Sequence, residues 1–131
     1  MELLTGYEYS IDCLASASGE LLAAVPRRKA DGRLRMLEEV PELIELANQV
    51  AATYRIPFNY NIQIKYNRGV PKLLEINPRM SGGLQVSCLS GINFPYLGVK
   101  AVLGEKVEVQ KPNFGILASH LEQYVIMNLG E

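Results

Sequence analysis

The sequence is poor in metal-binding and disulfide-forming residues, and this scarcity excludes several classes of protein. Its 131 residues include two cysteines and one histidine. Two cysteines are too few for a disulfide framework and, alone, for a zinc site, so we expect a reducing, cytoplasmic location. No apolar run approaches the roughly 20 residues of a membrane span, and the N-terminus lacks a signal-peptide pattern. No membrane partner is therefore expected.

An excess of charge of either sign is also missing. Thirteen Lys and Arg residues accompany fourteen Asp and Glu residues, which gives a formal net charge of -1. A dedicated nucleic-acid binder usually has a strong basic excess, so no nucleic-acid partner is expected. The composition is 48% apolar and 21% charged, which is typical of a soluble chain with one core. The length predicts a single domain over residues 1–131.

The spacing of apolar residues predicts the secondary structure. Period-two alternation and helical spacing indicate strands and helices in the order β-β-α-β-β-α-α-β. The expected segments are a hairpin over 7–26, a basic loop over 27–35, a helix over 41–55, strands over 59–66 and 72–77, helices near 84–90 and 95–104, and a strand over 116–127. This order predicts an α+β fold, an antiparallel β-sheet with helices packed on one face.

The second predicted hairpin carries a set of oxygen-bearing side chains. A five-residue turn over 67–71 would place Gln63 opposite Glu75 and Asn61 opposite Asn77, all on the face away from the apolar side chains. Such a set suits Mg²⁺ or Mn²⁺ rather than zinc, and with one carboxylate it would need waters and phosphates to complete it. A register shift by one residue would separate the opposed pairs. The alternative is a solvated polar face without a ligand.

Arg79 and a glycine-rich segment follow this hairpin. A guanidinium beside a metal–phosphate site can bind a phosphoryl oxygen and stabilise charge during transfer. Ser81-Gly82-Gly83 would let the backbone approach a ligand closely. The alternative for Arg79 is a surface arginine, or one that forms an ion pair with Glu75.

Residues 73–83 have the sequence LLEINPRMSGG. This segment resembles the metal-binding segment of the ATP-grasp superfamily. The resemblance is nearest to carbamoyl-phosphate-synthase-like and related carboxylate–amine ligases. It covers most of residues 1–110 in the family's order, including GYEYSID at 6–12, VPR at 25–27 and GINFP at 91–95. It implies two α+β subdomains that clamp ATP, with a carboxylate activated as an acyl phosphate and then captured by an amine.

The resemblance implies a metal site and a catalytic arginine. Gln63, Glu75 and Asn77 would be the ligands of Mg²⁺ or Mn²⁺. Gln63 stands where many relatives have an acid, and the carbamoyl-phosphate synthases are similar to this sequence in using Gln. Arg79 would hold the γ-phosphoryl group and stabilise the transition state.

The resemblance also implies contacts to ATP. Glu8 would accept hydrogen bonds from the ribose hydroxyls. Leu3 and Leu4 would belong to the hinge against adenine. Arg27 would lie near the phosphates or the substrate.

The family's first lobe, with the lysines and glycine-rich loop that cover the phosphates, has no counterpart before Tyr7. The resemblance thus implies the C-terminal subdomain of the ATP-grasp fold, with the N-terminal lobe as a missing partner and with small-molecule carboxylate and amine substrates. Because phosphoryl transfer needs groups from both sides, we expect the isolated fragment to have little or no ligase activity.

Two other hypotheses stay open. One is a non-catalytic nucleotide-binding or scaffolding module that retains the half-fold. The other is a homodimer of the fragment, formed through the face that the first lobe would cover, where Leu3 and Leu4 would be exposed.

Overall fold

The computed structural model describes residues 3–122, in which six strands and three helices follow one another along the chain. We number them in chain order. They are β1 (Glu8–Ala15), β2 (Leu21–Lys29), β3 (Leu34–Leu37), α1 (Pro41–Tyr54), β4 (Phe58–Asn67), β5 (Val70–Asn77), α2 (Leu84–Cys88), α3 (Phe94–Val102) and β6 (Ile116–Ser119). The sequence predicts that the last strand extends to residue 127, but residues 123–127 lie outside the described part.

The six strands form one sheet in the order β5-β4-β1-β2-β3-β6. Each neighbouring pair is antiparallel. The predicted α+β class with an antiparallel sheet is therefore confirmed. None of the three helices in residues 3–122 has the length and apolarity needed to span a bilayer.

One face of the sheet packs against α1. Tyr9, Ile11 and Cys13 alternate along β1 and belong to a buried cluster with Leu43 and Ala47 of α1. Period-two alternation places every second residue of β1 on this face. We call it the α1 face.

The opposite face packs against the two shorter helices. Leu14 of β1 lies in a second buried cluster with Val25, Leu37, Leu84 and Phe94, the last two from α2 and α3. We call this the α2–α3 face. The helices thus lie on both faces, which corrects the expectation of a single covered face. The physical reason is that each face carries its own buried apolar side chains and needs its own cover.

The predicted basic loop over 27–35 is too long, because residues 27–29 belong to β2 and residues 34–35 to β3, which leaves 30–33 as the loop of a hairpin. Strands β2 and β3 pair Arg27 with Leu37 and Lys29 with Arg35. Charge alone predicts a solvated loop, but a strand can bury charged side chains when partners from other elements neutralise them.

Arg28 shows how such a charge is accommodated on the α1 face. Its Nε donates a hydrogen bond to Glu38 Oε2 at 2.9 Å, and the Tyr9 hydroxyl donates to the same oxygen at 2.6 Å. Burial opposes ionisation of Glu38, but the two hydrogen bonds outweigh it and lower the pKa of this carboxyl below its ordinary value. The basic hairpin is therefore fixed to the strand beside it.

The turn between β4 and β5 contains two residues rather than five. Asn67 pairs with Val70, and the residues between them, Arg68 and Gly69, have φ values of 51° and 78°. Positive φ at both central positions is the requirement of a type I′ hairpin turn, and glycine satisfies it without strain.

Helix α1 is fixed at both ends. Pro41 suits the first helical position, and Glu42 lies near the positive end of the helix dipole. The helix ends at Arg55, where φ is 51° and the backbone N–H donates to the Ala51 carbonyl at 3.0 Å. Gly19, in the turn between β1 and β2, packs so closely that a Cβ atom would lie 2.4 Å from the Arg55 carbonyl carbon.

This contact predicts that Gly19→Ala destabilises the fold. We expect a loss of at least about 2 kcal/mol in the free energy of unfolding, because a backbone clash adds to a left-handed conformation that itself costs roughly 1–2 kcal/mol. Urea denaturation measures the change. Gly32→Ala is the matched control, since Gly32 also has a positive φ but a Cβ atom there would have no atom within 4 Å. Equal losses in the two variants would contradict the packing argument.

Candidate functional site

A β-bulge sets the register of the candidate metal ligands. Near the turn, Ile64 pairs with Leu73, but Gln63 pairs with Glu75, so Leu74 is the unpaired residue of β5. The pairing of Gln63 with Glu75 agrees with the predicted register. Leu74 itself is 47% exposed, so this apolar side chain of the hairpin does not lie in the core. The bulge thus compensates for the shorter turn.

Cross-strand pairing aligns two rows of polar residues on the α2–α3 face. One row is Asn77, Asn61 and Asp12, and the other is Glu75, Gln63, Ser10 and Arg27. Burial increases from the sheet edge inward, since Glu75 is exposed while Asn61, Asp12 and Arg27 are buried. A ligand can therefore reach the edge of these rows, whereas their inner ends belong to the protein interior.

The three predicted metal ligands, Gln63, Glu75 and Asn77, lie together at the exposed end. Asn77 Nδ2 donates hydrogen bonds to Glu75 Oε1 at 2.9 Å and to Asn61 Oδ1 at 3.4 Å. The amide nitrogen of Asn77, rather than its oxygen, therefore faces the carboxylate. A cation bound between them would require this amide to turn by about half a rotation, so that its oxygen replaces the nitrogen.

The donor chemistry fits a hard divalent cation and does not fit zinc. Gln63, Glu75 and Asn77 offer only oxygen ligands, which Mg²⁺ and Mn²⁺ prefer. Within residues 3–122 no group of three His, Cys, Asp or Glu side chains could hold a metal. With a single carboxylate, the protein supplies part of a coordination shell, which waters and phosphate oxygens would complete.

Arg79 leaves the end of β5 with a fixed backbone and an exposed side chain. Its N–H donates to the Asn77 carbonyl at 2.8 Å, and its own carbonyl accepts from Asn61 Nδ2 at 3.0 Å. The guanidinium makes a hydrogen bond to the Met80 carbonyl at 3.0 Å, and no ion pair links it to Glu75 among the described residues. Because the side chain is exposed, its other N–H groups are accessible to an anion.

Arg27 is buried beneath the glycine-rich segment instead of lying open to solvent. It is 7% exposed, and its Nη2 lies 3.4 Å from Oδ2 of Asp12, which is 1% exposed. Its Nε donates to Ser87 Oγ at 3.3 Å, and Nη2 donates to Ser81 Oγ at 3.1 Å. Arg27 therefore ties α2 and the segment after Arg79 to the sheet.

Gly83 allows this segment to lie directly on the guanidinium. A Cβ atom at Gly83 would be 2.5 Å from Arg27 Nη1, so any side chain there would displace the arginine or the segment. Ser87 Oγ also donates to Asp12 Oδ2 at 2.5 Å. Asp12 and Ser87 are site residues that the sequence patterns did not identify. The signal that could have found Asp12 is its alternation with Glu8 and Ser10 on one strand face.

The predicted nucleotide contacts lie around the start of β1. Glu8 is half-buried and pairs with Lys29 on one side and Lys65 on the other. These three residues line one cavity of about 480 Å³. Leu3 is exposed and Leu4 is half-buried, and both precede this cavity in the chain. Arg28 and Asp31 line the same cavity, so both basic and acidic side chains border it.

A family model matches the chain over residues 1–124, and its description is "ATP-grasp in the biosynthetic pathway with Ter operon". No curated protein matches the chain by sequence. Several solved structures are similar to it in fold. An L-amino acid ligase from Bacillus licheniformis is similar at 18% identity with a TM-score of 0.63, over 84% of this chain and 32% of that one.

Two carboxylases are similar as well. A variant pyruvate carboxylase from Rhizobium etli, crystallized without acetyl coenzyme-A, has 14% identity and a TM-score of 0.67, over 86% of this chain and 13% of that one. A single-chain, multi-domain long-chain acyl-CoA carboxylase has 17% identity and a TM-score of 0.60, over 79% and 12%. At such identities the likeness shows a shared fold, and the chain spans a third or less of each structure.

The buried ion pair predicts a large effect of a small substitution. Asp12→Asn would leave the Arg27 charge buried without its counter-charge, and we expect the free energy of unfolding to fall by about 3 kcal/mol. Chemical denaturation measures it. Glu108→Gln serves as the control, because Glu108 pairs with Lys106 at the surface, with side chains 78% and 83% exposed, and such pairs contribute less than about 1 kcal/mol. A similarly small change in the free energy of unfolding in both variants would show that the stability of the fold does not depend on the Asp12 charge.

Proposed function

This chain belongs to the ATP-grasp family in the biosynthetic pathway with the Ter operon, and we propose that it forms the C-terminal, ATP- and metal-binding lobe of a carboxylate–amine ligase. The reaction would activate a carboxylate as an acyl phosphate, which an amine or ammonia then attacks. The observation that carries the proposal is the arrangement of Gln63, Glu75 and Asn77 on adjacent strands, with the exposed Arg79 directly after them.

Gln63, Glu75 and Asn77 would hold Mg²⁺ or Mn²⁺, which when bound would neutralise phosphate charge and orient the nucleotide. Gln63 is suited to this role because its amide oxygen lies on the same face as Glu75, in the directly opposed position. The presence of Gln in place of an acid, together with the segment 73–83, supports the finer hypothesis of a carbamoyl-phosphate-synthase-like enzyme.

Arg79 would bind the transferred phosphoryl group. Its backbone is fixed by bonds to Asn77 and Asn61 while its guanidinium stays accessible. A two-pronged bond from a guanidinium to phosphoryl oxygens stabilises the charge that develops during transfer. The buried Arg27 would contribute indirectly, by fixing the segment that follows Arg79.

The nucleotide would extend from this site toward the start of β1. Glu8 would accept hydrogen bonds from the ribose, with Lys29 and Lys65 beside it. Leu3 and Leu4 would contact adenine. Both cysteines are free, which supports a reducing, cytoplasmic location for the protein.

The carboxylate of Glu75 provides the central test. In the full-length enzyme we expect Glu75→Ala to lower metal-dependent ATP turnover by about 100-fold or more, because an electrostatic partner of the phosphates is lost. Steady-state ATP hydrolysis or product formation measures it. Glu45→Gln, an exposed glutamate of α1 on the other side of the sheet, should leave turnover unchanged. Near-normal turnover in Glu75→Ala would overturn the proposed function.

A second lobe is also required by this proposal. The chain spans 32% of the L-amino acid ligase and less of the two carboxylases. Phosphoryl transfer depends on positioning and charge neutralisation from both sides of the nucleotide. We therefore expect purified residues 1–131 to show almost no ATP turnover without a partner lobe. Robust turnover by these residues alone would contradict the need for that lobe.

A further inference from the structure

A second cavity lies on the α2–α3 face, at the side of the sheet away from β5. It has a volume of about 570 Å³ and lies between α2 and strands β3 and β6. Arg33, Arg35 and His120 provide its basic groups, while Val86 and Leu89 provide apolar wall. A mostly apolar cavity with a few polar groups at defined positions is the usual form of a small-molecule site. We call it the β6-edge cavity.

Arg35 is held in position to serve this cavity. It pairs with Lys29 on one side and Ala118 on the other, and alternation places it on the same face as the buried Leu37. One guanidinium nitrogen, Nη1, donates to the carbonyls of Gly32 and Leu34 at 3.1 and 2.7 Å. The guanidinium is therefore oriented by the backbone, and its other N–H groups are available to a ligand.

A carboxylate of the chain itself contacts the other two basic residues. Glu122 places one oxygen 3.6 Å from Arg33 Nη2 and the other 3.8 Å from His120 Nε2. All three side chains are more than half exposed, so this contact is weak and exchangeable. It shows that the space between Arg33 and His120 accepts a carboxylate group.

The cavity borders the glycine-rich segment that follows Arg79. Gly82 and Gly83 line it, and they follow Arg79 by three and four residues in the sequence. Arg27 binds Ser81 and lies against Gly83, so this wall of the cavity is fixed to the sheet. A small molecule in the cavity would lie along the backbone that leads to Arg79.

We propose that the β6-edge cavity selects the carboxylate substrate by a second anionic group. The substrate class is a small dicarboxylate, or a carboxylate with another oxyanion, whose apolar spacer packs on Val86 and Leu89. Arg33 and Arg35 bind the non-reacting anionic end, and the rest of the molecule extends along Gly82 and Gly83, which also line the cavity. This inference rests on the proposed ligase function for the reaction, but the binding itself requires neither ATP nor metal.

The test measures binding of dicarboxylates to the full-length protein without nucleotide or metal. Succinate, glutarate and adipate are titrated by calorimetry, with the monocarboxylate pentanoate as the uncharged-end comparison. We expect saturable binding of at least one dicarboxylate. Pentanoate should bind at least about tenfold more weakly than that dicarboxylate, which is the ratio expected from the loss of one charge-assisted bond. Absence of binding by all three dicarboxylates would overturn the proposal.

Charge-matched variants locate the binding. The double variant Arg33→Gln/Arg35→Gln should weaken the dicarboxylate at least about tenfold. Lys106→Gln/Lys111→Gln removes the same charge from exposed side chains outside the cavity and should not change binding. Equal weakening by the two double variants would indicate a non-specific charge effect and refute the site.

Glu122→Gln tests the proposal in the opposite direction. Removing the internal carboxylate frees Arg33 and His120, so dicarboxylate binding should become a few-fold tighter. This variant keeps the test valid if the double arginine variant does not fold.

ATP is titrated in parallel as a competing ligand for the same arginines. If Arg33→Gln/Arg35→Gln weakens ATP but leaves dicarboxylates unaffected, the cavity is a phosphate site and the proposal is wrong.

The outcomes for the two proposals can be separated. Absence of dicarboxylate binding by the unmutated protein, together with intact metal-dependent ATP turnover, would overturn only the present inference. Normal turnover in Glu75→Ala would overturn the proposed function and leave the binding measurements unaffected.

Discussion

The ion pair between Asp12 and Arg27 is the constraint on which the rest of the site depends. Asp12 belongs to β1 and Arg27 to β2, and both are almost fully buried. From this position Arg27 also reaches Ser87 in α2 and Ser81 in the segment before it. One side chain thus joins the sheet, a helix and the backbone after Arg79. A buried pair of this kind contributes position more than stability, because desolvation offsets much of its attraction.

The exposed half of the site is built differently, from hydrogen bonds that a ligand can replace. Asn77 donates to Glu75, which satisfies the carboxylate without a cation. A cation would replace this hydrogen bond with coordination by an oxygen of Glu75 and the amide oxygen of Asn77. The affinity for the cation is therefore reduced by the free energy of the hydrogen bond that must be broken. The buried half keeps its geometry during this exchange because its partners lie in different elements. The same principle applies to the β6-edge cavity. There the Glu122 carboxylate contacts Arg33 and His120, and a bound ligand would replace it.

Sequence patterns predicted the strands well and the long-range contacts poorly. Period-two alternation identified β1, β4 and β5, and the opposition of Gln63 and Glu75 was predicted correctly. The predicted turn is nevertheless too long. The register is still correct because a bulge at Leu74 compensates for the one-residue shift that the shorter turn introduces. The basic hairpin was missed because local charge does not reveal a partner such as Asp12. The contact of Ser87 with Asp12 joins residues 75 positions apart, and no local spacing predicts it.

The bulge at Leu74 also has a consequence for the free edge of the sheet. Among the strands of residues 3–122, β5 is the last on its side, and it exposes Val70, Leu73 and Leu74. A long, regular, apolar edge would offer a template for aggregation with another chain. The bulge interrupts the ladder of backbone groups, and Pro71 lacks an N–H to offer. The irregularity that aligns Glu75 with Gln63 therefore also protects the protein against edge-to-edge association with its own copies.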